Sequence, residues 1–160
     1  MTFLESHPLR GAFLASTLER LAALIVEQGE ELLRDAGVDF PARAASTVLL
    51  LGEQVQLSAA DIAKSLGHPH QLVTQRIDLL IDMGIVARID DRGDARRKVL
   101  SLTAKGKKQF QRLKARLVLA DAAIAALLEE IGCDLSAAAS KAIQALNRTS
   151  ILTRIRSQAG

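Results

Sequence analysis

The sequence has no tryptophan and no tyrosine, and four phenylalanines supply its whole 2% aromatic content. A core without large aromatic slabs must be filled otherwise. With alanine and leucine dominating a hydrophobic content of 49%, the composition favours helices packed closely through small and aliphatic side chains. Cysteine occurs once, at Cys133, which excludes an internal disulfide framework and suits a reducing compartment. A lone cysteine beside a helix boundary reads as structural filler, with a redox-sensing thiol as the alternative. Only three histidines are present, Gly-rich phosphate loops are absent, and no Ser/His/Asp or Cys/His arrangement stands out. No enzymatic activity and no cofactor are therefore expected. His68 and His70 flank Pro69 but lack a nearby third metal ligand. Asp90, Asp91 and Asp94 are surrounded by arginines, a poor setting for a cation. Long apolar runs are missing too. Leu21 to Val26 is far too short to span a bilayer, and Met1 to Pro8 carries Glu5 and His7 without the apolar core of a signal peptide. The expectation is a soluble cytoplasmic protein with no membrane partner.

What is present is an uneven charge distribution within 160 residues, a length that suits one domain, with or without an oligomerisation extension. The net charge of +3 hides the asymmetry. From Met1 to Ile85 there are 6 basic and 11 acidic residues, from Val86 to Arg116 there are 11 basic and 3 acidic, and the remainder cancels at 4 and 4. Positive charge is thus gathered in one stretch, an electrostatic footprint for polyanions, with a merely solvated face as the bland alternative.

Along the chain, apolar residues from Leu9 to Leu33 recur at spacings of three, four and seven, predicting one amphipathic helix over Leu9–Asp35 with Gly37 near its C-cap. At about 1.5 Å per residue it spans roughly 40 Å, longer than a compact small domain needs, so its surplus apolar face is expected to pair with another chain. A second helix is expected from Pro41 through Arg43 to Leu51, stopping near Gly52. Ser58 and Asp61 resemble a capping box opening a short helix that ends at Gly67. His68-Pro69-His70 is the following turn, and the next helix runs to Gly84 with Leu72, Val73, Ile77 and Leu80 as its core stripe. Gln71, Thr74, Gln75 and Asp78 fall on its other face, while Arg76 sits nearer the stripe, as a structural or a DNA-contacting group. Gln can pair bidentately with adenine and Thr offers a hydroxyl and a methyl to thymine. Lys64, on the preceding helix, is free to meet phosphate.

Ile85, Val86 and Ile89, then Val99, Leu100 and Leu102, flank the polar tip DDRGDARRK, which predicts a small hairpin with a cationic end. Thr103 is expected to N-cap a long helix from Thr103 to Ile131, cationic at first and almost wholly apolar later, stopped by Gly132. Asp134 or Ser136 opens a last helix in which Leu135, Ala138, Ala139, Ala142, Ile143, Leu146, Ile151 and Ile155 are expected to be buried. A short helix, a tight turn, a second helix and a charged hairpin are the parts of a winged helix-turn-helix. The fold class expected is mainly α with a small β-hairpin wing, carrying long N- and C-terminal dimerisation helices. The divisions expected are 1–39 for the N-terminal dimerisation helix, 40–106 for the DNA-binding domain and 107–160 for the C-terminal dimerisation helices.

With those residues in place, the chain resembles the MarR family of winged helix-turn-helix transcription regulators over nearly its whole length. The resemblance rests on Leu66-Gly67, the 16 residues between Gly67 and Gly84, and the IVAR run from Ile85 to Arg88. It continues with Asp94-Ala95-Arg96 in the wing and Leu102-Thr103-Ala104-Lys105-Gly106 after it. The resemblance implies a homodimer on double-stranded, pseudo-palindromic DNA, with a recognition helix in each major groove and the wing in the minor groove. It implies a repressor released by a small aromatic or phenolic ligand. Arg96 would be the minor-groove arginine, with Asp94 holding its guanidinium, and a narrow A·T-rich groove does concentrate the negative potential such a group seeks. The candidate DNA-binding set is Lys64, His68, His70, Gln71, Thr74, Gln75, Arg92, Asp94, Arg96, Arg97 and Lys98; Arg43 and Ser46 are the ligand-pocket candidates. Two departures bear on base preference. Ala95 stands where the family often has a second arginine, with Arg97 and Lys98 next in line to compensate, and Gln75 stands where a basic residue is frequent. The competing function is a helical protein-interaction or architectural DNA-binding module without ligand sensing.

Overall fold

The computed structural model describes residues 2–54, 56–90 and 98–158. It divides into two units, Met1–Leu117 and Val118–Gly160.

In the first unit, a single-turn helix α1 (Phe3–Ser6) and a 3-10 turn (Arg10–Phe13) precede α2 (Leu14–Asp35). The continuous helix expected from Leu9 is therefore interrupted: Phe13 has φ −103° and ψ 21°, outside the α region. Gly11, in the 3-10 turn, has little preference for α-helix. At the other end, the Gly37 amide donates to Arg34 O and the Val38 amide to Leu33 O, as the C-cap expectation required. A second 3-10 turn (Ala42–Ala44) follows Pro41 and leads into α3 (Ala45–Glu53), which runs two residues past the expected end. Next comes α4 (Ala59–Leu66), opened by a complete capping box: Ser58 Oγ accepts from the Asp61 amide at 3.2 Å and Asp61 Oδ2 accepts from the Ser58 amide at 3.0 Å. It ends at Gly67, whose left-handed φ of 63° suits a residue without Cβ.

Helix α5 (His70–Asp82) buries Val73, Ile77 and Leu80, as its periodicity indicated. Strands β1 (Val86–Asp90) and β2 (Lys98–Leu102) pair antiparallel in the register Val86↔Leu102 to Asp90↔Lys98. Leu57 adds a single bridge to Leu100, its carbonyl accepting from the Leu100 amide at 2.8 Å, an edge the sequence did not reveal. Helix α6 (Ala104–Glu130) follows. Leu33, Phe40, Val48, Leu51, Ile62, Val73, Ile77, Leu80, Ile85, Leu102 and Leu113 form one buried cluster, so the core sits among α2, α3, α4, α5, the hairpin base and the start of α6.

The second unit holds the later part of α6, then α7 (Leu135–Arg148) and α8 (Ile151–Gln158). Asp134 is the N-cap of α7, accepting from the Ala137 amide at 2.9 Å. The single last helix expected from the sequence is instead two. Thr149 adopts an extended backbone (φ −145°, ψ 111°), and Ser150 Oγ accepts from the Thr153 amide to begin α8. Arg154 then donates to Thr149 O and adds a second donor to Ala145 O, which already accepts the Thr149 amide. No described residue of this unit is buried within the chain. The burial expected for Ile143, Leu146, Ile151 and Ile155 is not met, because a pair of short helices offers one chain no second apolar layer. No described helix is long and apolar enough to cross a membrane.

Gly106 is the tightest junction in the first unit, since a Cβ there would lie 2.0 Å from the Ile85 carbonyl oxygen. Backbone cannot yield as a flexible side chain does. Gly106→Ala is expected to destabilise the fold by about 2 kcal/mol or more, read as a lowered urea midpoint of the far-UV CD signal. An unchanged midpoint would show that α6 can shift without cost.

Candidate nucleic-acid interface

The interface is built on α4 and α5. The α4 capping box fixes where that helix starts, and the left-handed Gly67 turns the chain sharply enough for α5 to begin three residues later. Pro69 takes the N-cap position of α5 rather than its first helical position. The apolar stripe of α5 faces the core, which turns Gln71 and Gln75 outward, both exposed. His70 is exposed at the first helical position. Thr74 is half-buried, and its hydroxyl donates to His70 O at 3.0 Å while lying 3.4 Å from His70 Nδ1. Lys64 is exposed in the last turn of α4, and His68 is half-buried in the turn between the helices. Lys64, His68, His70, Gln71, Thr74 and Gln75 are thus brought to one helix-turn-helix.

Arg76 is half-buried, and its Nε is enclosed without a hydrogen-bond partner among the described residues. That placement matches its position near the core stripe. Lys98 starts β2 and pairs with Asp90 across the two strands at the end opposite the hairpin base. Arg92, Asp94, Arg96 and Arg97 lie outside the described residues.

Two contacts hold α5 to the hairpin and to α6. Arg88 on β1 pairs with Asp78 on α5 at 2.7 Å. Lys105 Nζ donates to Met83 O at 3.0 Å, placing a cation at the negative end of the α5 dipole.

The basic run after the hairpin is less available than its charge count suggested. Arg112 donates to Gly37 O at 2.6 Å, Lys114 pairs with Glu53 at 3.1 Å and Arg116 pairs with Asp35 at 3.0 Å. With Lys105 on Met83, these four cations are engaged within the unit. Lys107 and Lys108 are exposed and make no such contact among the described residues.

Arg43 is exposed and Ser46 half-buried near the start of α3, and neither lines the cavity beside α2 and α5. That cavity, about 530 Å³, is bounded by Glu30, Leu33 and Arg34 of α2, by Val38 to Pro41, and by Leu79 and Met83. Sequence reading missed it. The available signal was Glu30 and Arg34 four residues apart, on one side of a helix otherwise read for its apolar face. Glu30 accepts from the Ala42 amide at 2.8 Å, and the following loop is held from the α6 side by the buried Gln109, which accepts from the Asp39 amide at 3.0 Å and donates to Asp39 Oδ2 at 2.9 Å.

Comparison with known proteins agrees with this architecture. A family model described as MarR family matches residues 38–97. The HTH-type transcriptional regulator PapX of Escherichia coli is 29% identical over 108 residues, 68% of this chain and 66% of PapX, so the match spans just under two thirds of that relative. Among solved structures, the S. aureus MepR–DNA complex superposes with a TM-score of 0.68 at 21% identity, covering 82% of this chain and 97% of that one. The PcaV transcriptional regulator from Streptomyces coelicolor, in complex with its natural ligand, gives a TM-score of 0.61 at 19% identity, with 94% and 98% covered. The matched family segment takes in the helix-turn-helix and the first strand of the hairpin and ends just before β2, and over that segment the chain is similar to the MarR family of winged-helix proteins.

Proposed function

We propose that the protein is a transcriptional repressor that binds pseudo-palindromic duplex DNA as a homodimer and is released by a small aromatic or phenolic ligand. The observation that carries the DNA reading is the outward polar face of α5, where His70, Gln71, Thr74 and Gln75 cluster in its N-terminal turns. A helix entering the major groove presents such donors and acceptors to base edges. Lys64 and the wing residues Arg92, Arg96, Arg97 and Lys98 supply phosphate and minor-groove contacts, with Asp94 orienting Arg96. MepR, solved as a DNA complex, has the same fold and lends the reading support.

Residues 40–106 are assigned to DNA binding, and 1–39 and 107–160 to dimerisation. The apolar residues left exposed favour this assignment. On α2 they include Leu14, Leu18, Leu24, Ile25 and Val26; in the second unit they include Val118, Leu119, Ile143, Leu146, Ile151, Leu152 and Ile155. Faces of this extent are expected to pair with another copy of the chain.

For the ligand, support comes from the cavity beside α2 and α5. Arg34 has no partner among the described residues and suits a carboxylate, while Glu30, with one oxygen on the Ala42 amide, keeps its second to accept a phenolic hydroxyl. Phe40, Pro41, Leu79 and Met83 provide apolar walls. PcaV, bound to its natural ligand, is a precedent in this fold. Because Leu79 and Met83 belong to the last turn of α5 and the residue after it, occupancy there can bias the position of the recognition helix.

Three measurements test these parts separately. Titrated against DNA from upstream of its own gene and against scrambled DNA at several salt concentrations, the protein is expected to prefer the former by about 10³-fold, with affinity falling steeply as salt rises. Arg96→Glu should abolish that binding with helicity intact; equal binding to both DNAs would leave an architectural module. Light scattering is expected to give the mass of two chains, and Leu18→Glu with Ile25→Glu should shift it towards one; an unshifted mass removes α2 from the interface. Hydroxylated aromatic carboxylates are expected to lower DNA affinity, and Arg34→Ala should weaken their effect by about tenfold, the range of one charged hydrogen bond. A panel without effect removes ligand sensing, and an unaltered response in Arg34→Ala moves it elsewhere.

A further inference from the structure

A second cavity, about 390 Å³, lies between the end of α3, strand β2 and the first turns of α6. Its apolar floor is Leu51, Leu102 and Phe110. The phenyl ring is held from two sides. A Cβ at Gly52 would lie 2.2 Å from Phe110 Cδ2, so the ring rests directly on α3 backbone that only glycine leaves open. Lys114 Nζ, fixed by its pair with Glu53, sits 5.8 Å from the ring centroid. Phe110 is only 7% exposed, so what it offers the cavity is a fixed apolar wall.

The rim carries Lys107 and Lys108, the two cations in the first half of α6 without an intrachain partner among the described residues. No acidic residue lines the cavity to neutralise them. Their place in the fold argues against a DNA contact. Thr103 and Lys105 tie the start of α6 to Gly84 and Met83, beyond the C-terminal end of α5, whereas the groove-facing residues occupy its first turns, more than about 10 Å away at 1.5 Å per residue.

We propose that this cleft binds a small organic phosphomonoester, with the phosphate on Lys107 and Lys108 and an aromatic or other apolar body on Phe110. A phosphomonoester carries close to two negative charges at neutral pH, matching two ammonium groups, and lysine serves phosphate as a flexible point charge. The volume falls in the lower part of the range for small-ligand pockets. This site shares no residue with the cavity beside Arg34, and the proposal does not depend on the ligand reading made there.

The test uses the full chain without DNA, titrated with phenyl phosphate and followed by calorimetry, with inorganic phosphate in parallel. Saturable binding is expected, at least about tenfold tighter than for inorganic phosphate and weakened at least about tenfold in the Lys107→Ala/Lys108→Ala variant with unchanged CD. Phe110→Leu should weaken phenyl phosphate and leave inorganic phosphate as it was, while Arg34→Ala should alter neither. Absence of saturation in the millimolar range, equal affinity for the two anions, or full affinity in the double-lysine variant would each overturn the proposal. So would a loss of DNA affinity in that variant as large as that of Arg96→Glu, which would make the lysines DNA contacts.

Discussion

The Ile85 carbonyl is the point on which recognition helix, hairpin and α6 all bear. It accepts from the Thr103 amide at 3.0 Å, one residue before β1 begins, and the backbone of Gly106 passes so close that no side chain fits between. Thr103 completes the joint through its hydroxyl, which donates to Gly84 O at 2.7 Å and accepts from the Gly106 amide at 3.0 Å. One side chain thus satisfies a carbonyl beyond the end of α5 and an orphan amide in the first turn of α6. Ile85 itself is fully buried and Leu102 nearly so, which keeps water from competing for these bonds. With Lys105 on Met83 and Arg88 on Asp78, α5 is held at its C-terminal end and along its length, leaving its N-terminal turns free to meet a ligand.

This joint also explains how charge is distributed. A basic stretch read as a uniform polyanion footprint separates into two populations once α6 lies against α2 and α3. Arg112, Lys114 and Arg116 face Gly37, Glu53 and Asp35 and serve the packing of the first unit. Exposed pairs of this kind contribute little to stability one by one, but each cancels charge that would otherwise project into solvent. The field available to a polyanion therefore depends more on the wing residues than the count along the chain implies. Lys98, the described member of that group, already shares its charge with Asp90.

Signals that are local in the chain proved legible. The capping box at Ser58 and Asp61, the stops at Gly67 and Gly132, the cap at Asp134 and the stripe of α5 each depend on residues within a turn of one another. The element order of the winged helix-turn-helix was readable for the same reason. What escaped was set by weaker or distant partners. The 3-10 turn before α2 and the break at Thr149 interrupt apolar patterns that continue across them. The Leu57 bridge needs β2, more than forty residues on. Arg43 and Ser46 were candidates only by their place on the second helix, whereas Glu30 and Arg34 reach a cavity only because Leu79 and Met83 of a later segment close its other side.

The second unit shows where a helical pattern stops being informative about a single chain. Its periodicity is that of buried helices, yet Ile143, Leu146, Ile151 and Ile155 are each about half exposed or more. Isolated helices of 14 and 8 residues are marginal in water, since propagation barely repays nucleation at such lengths. In the proposed homodimer the missing apolar layer comes from the partner, so that folding of this segment and association become one equilibrium. Dilution would then loosen the C-terminal helices before it disturbs the first unit, whose core of Val48, Ile62, Ile77, Leu80 and Leu113 is complete within one chain. On the proposed function, a palindromic site needs two recognition helices at a fixed spacing, so DNA affinity would be set by that association as much as by the residues that touch the bases.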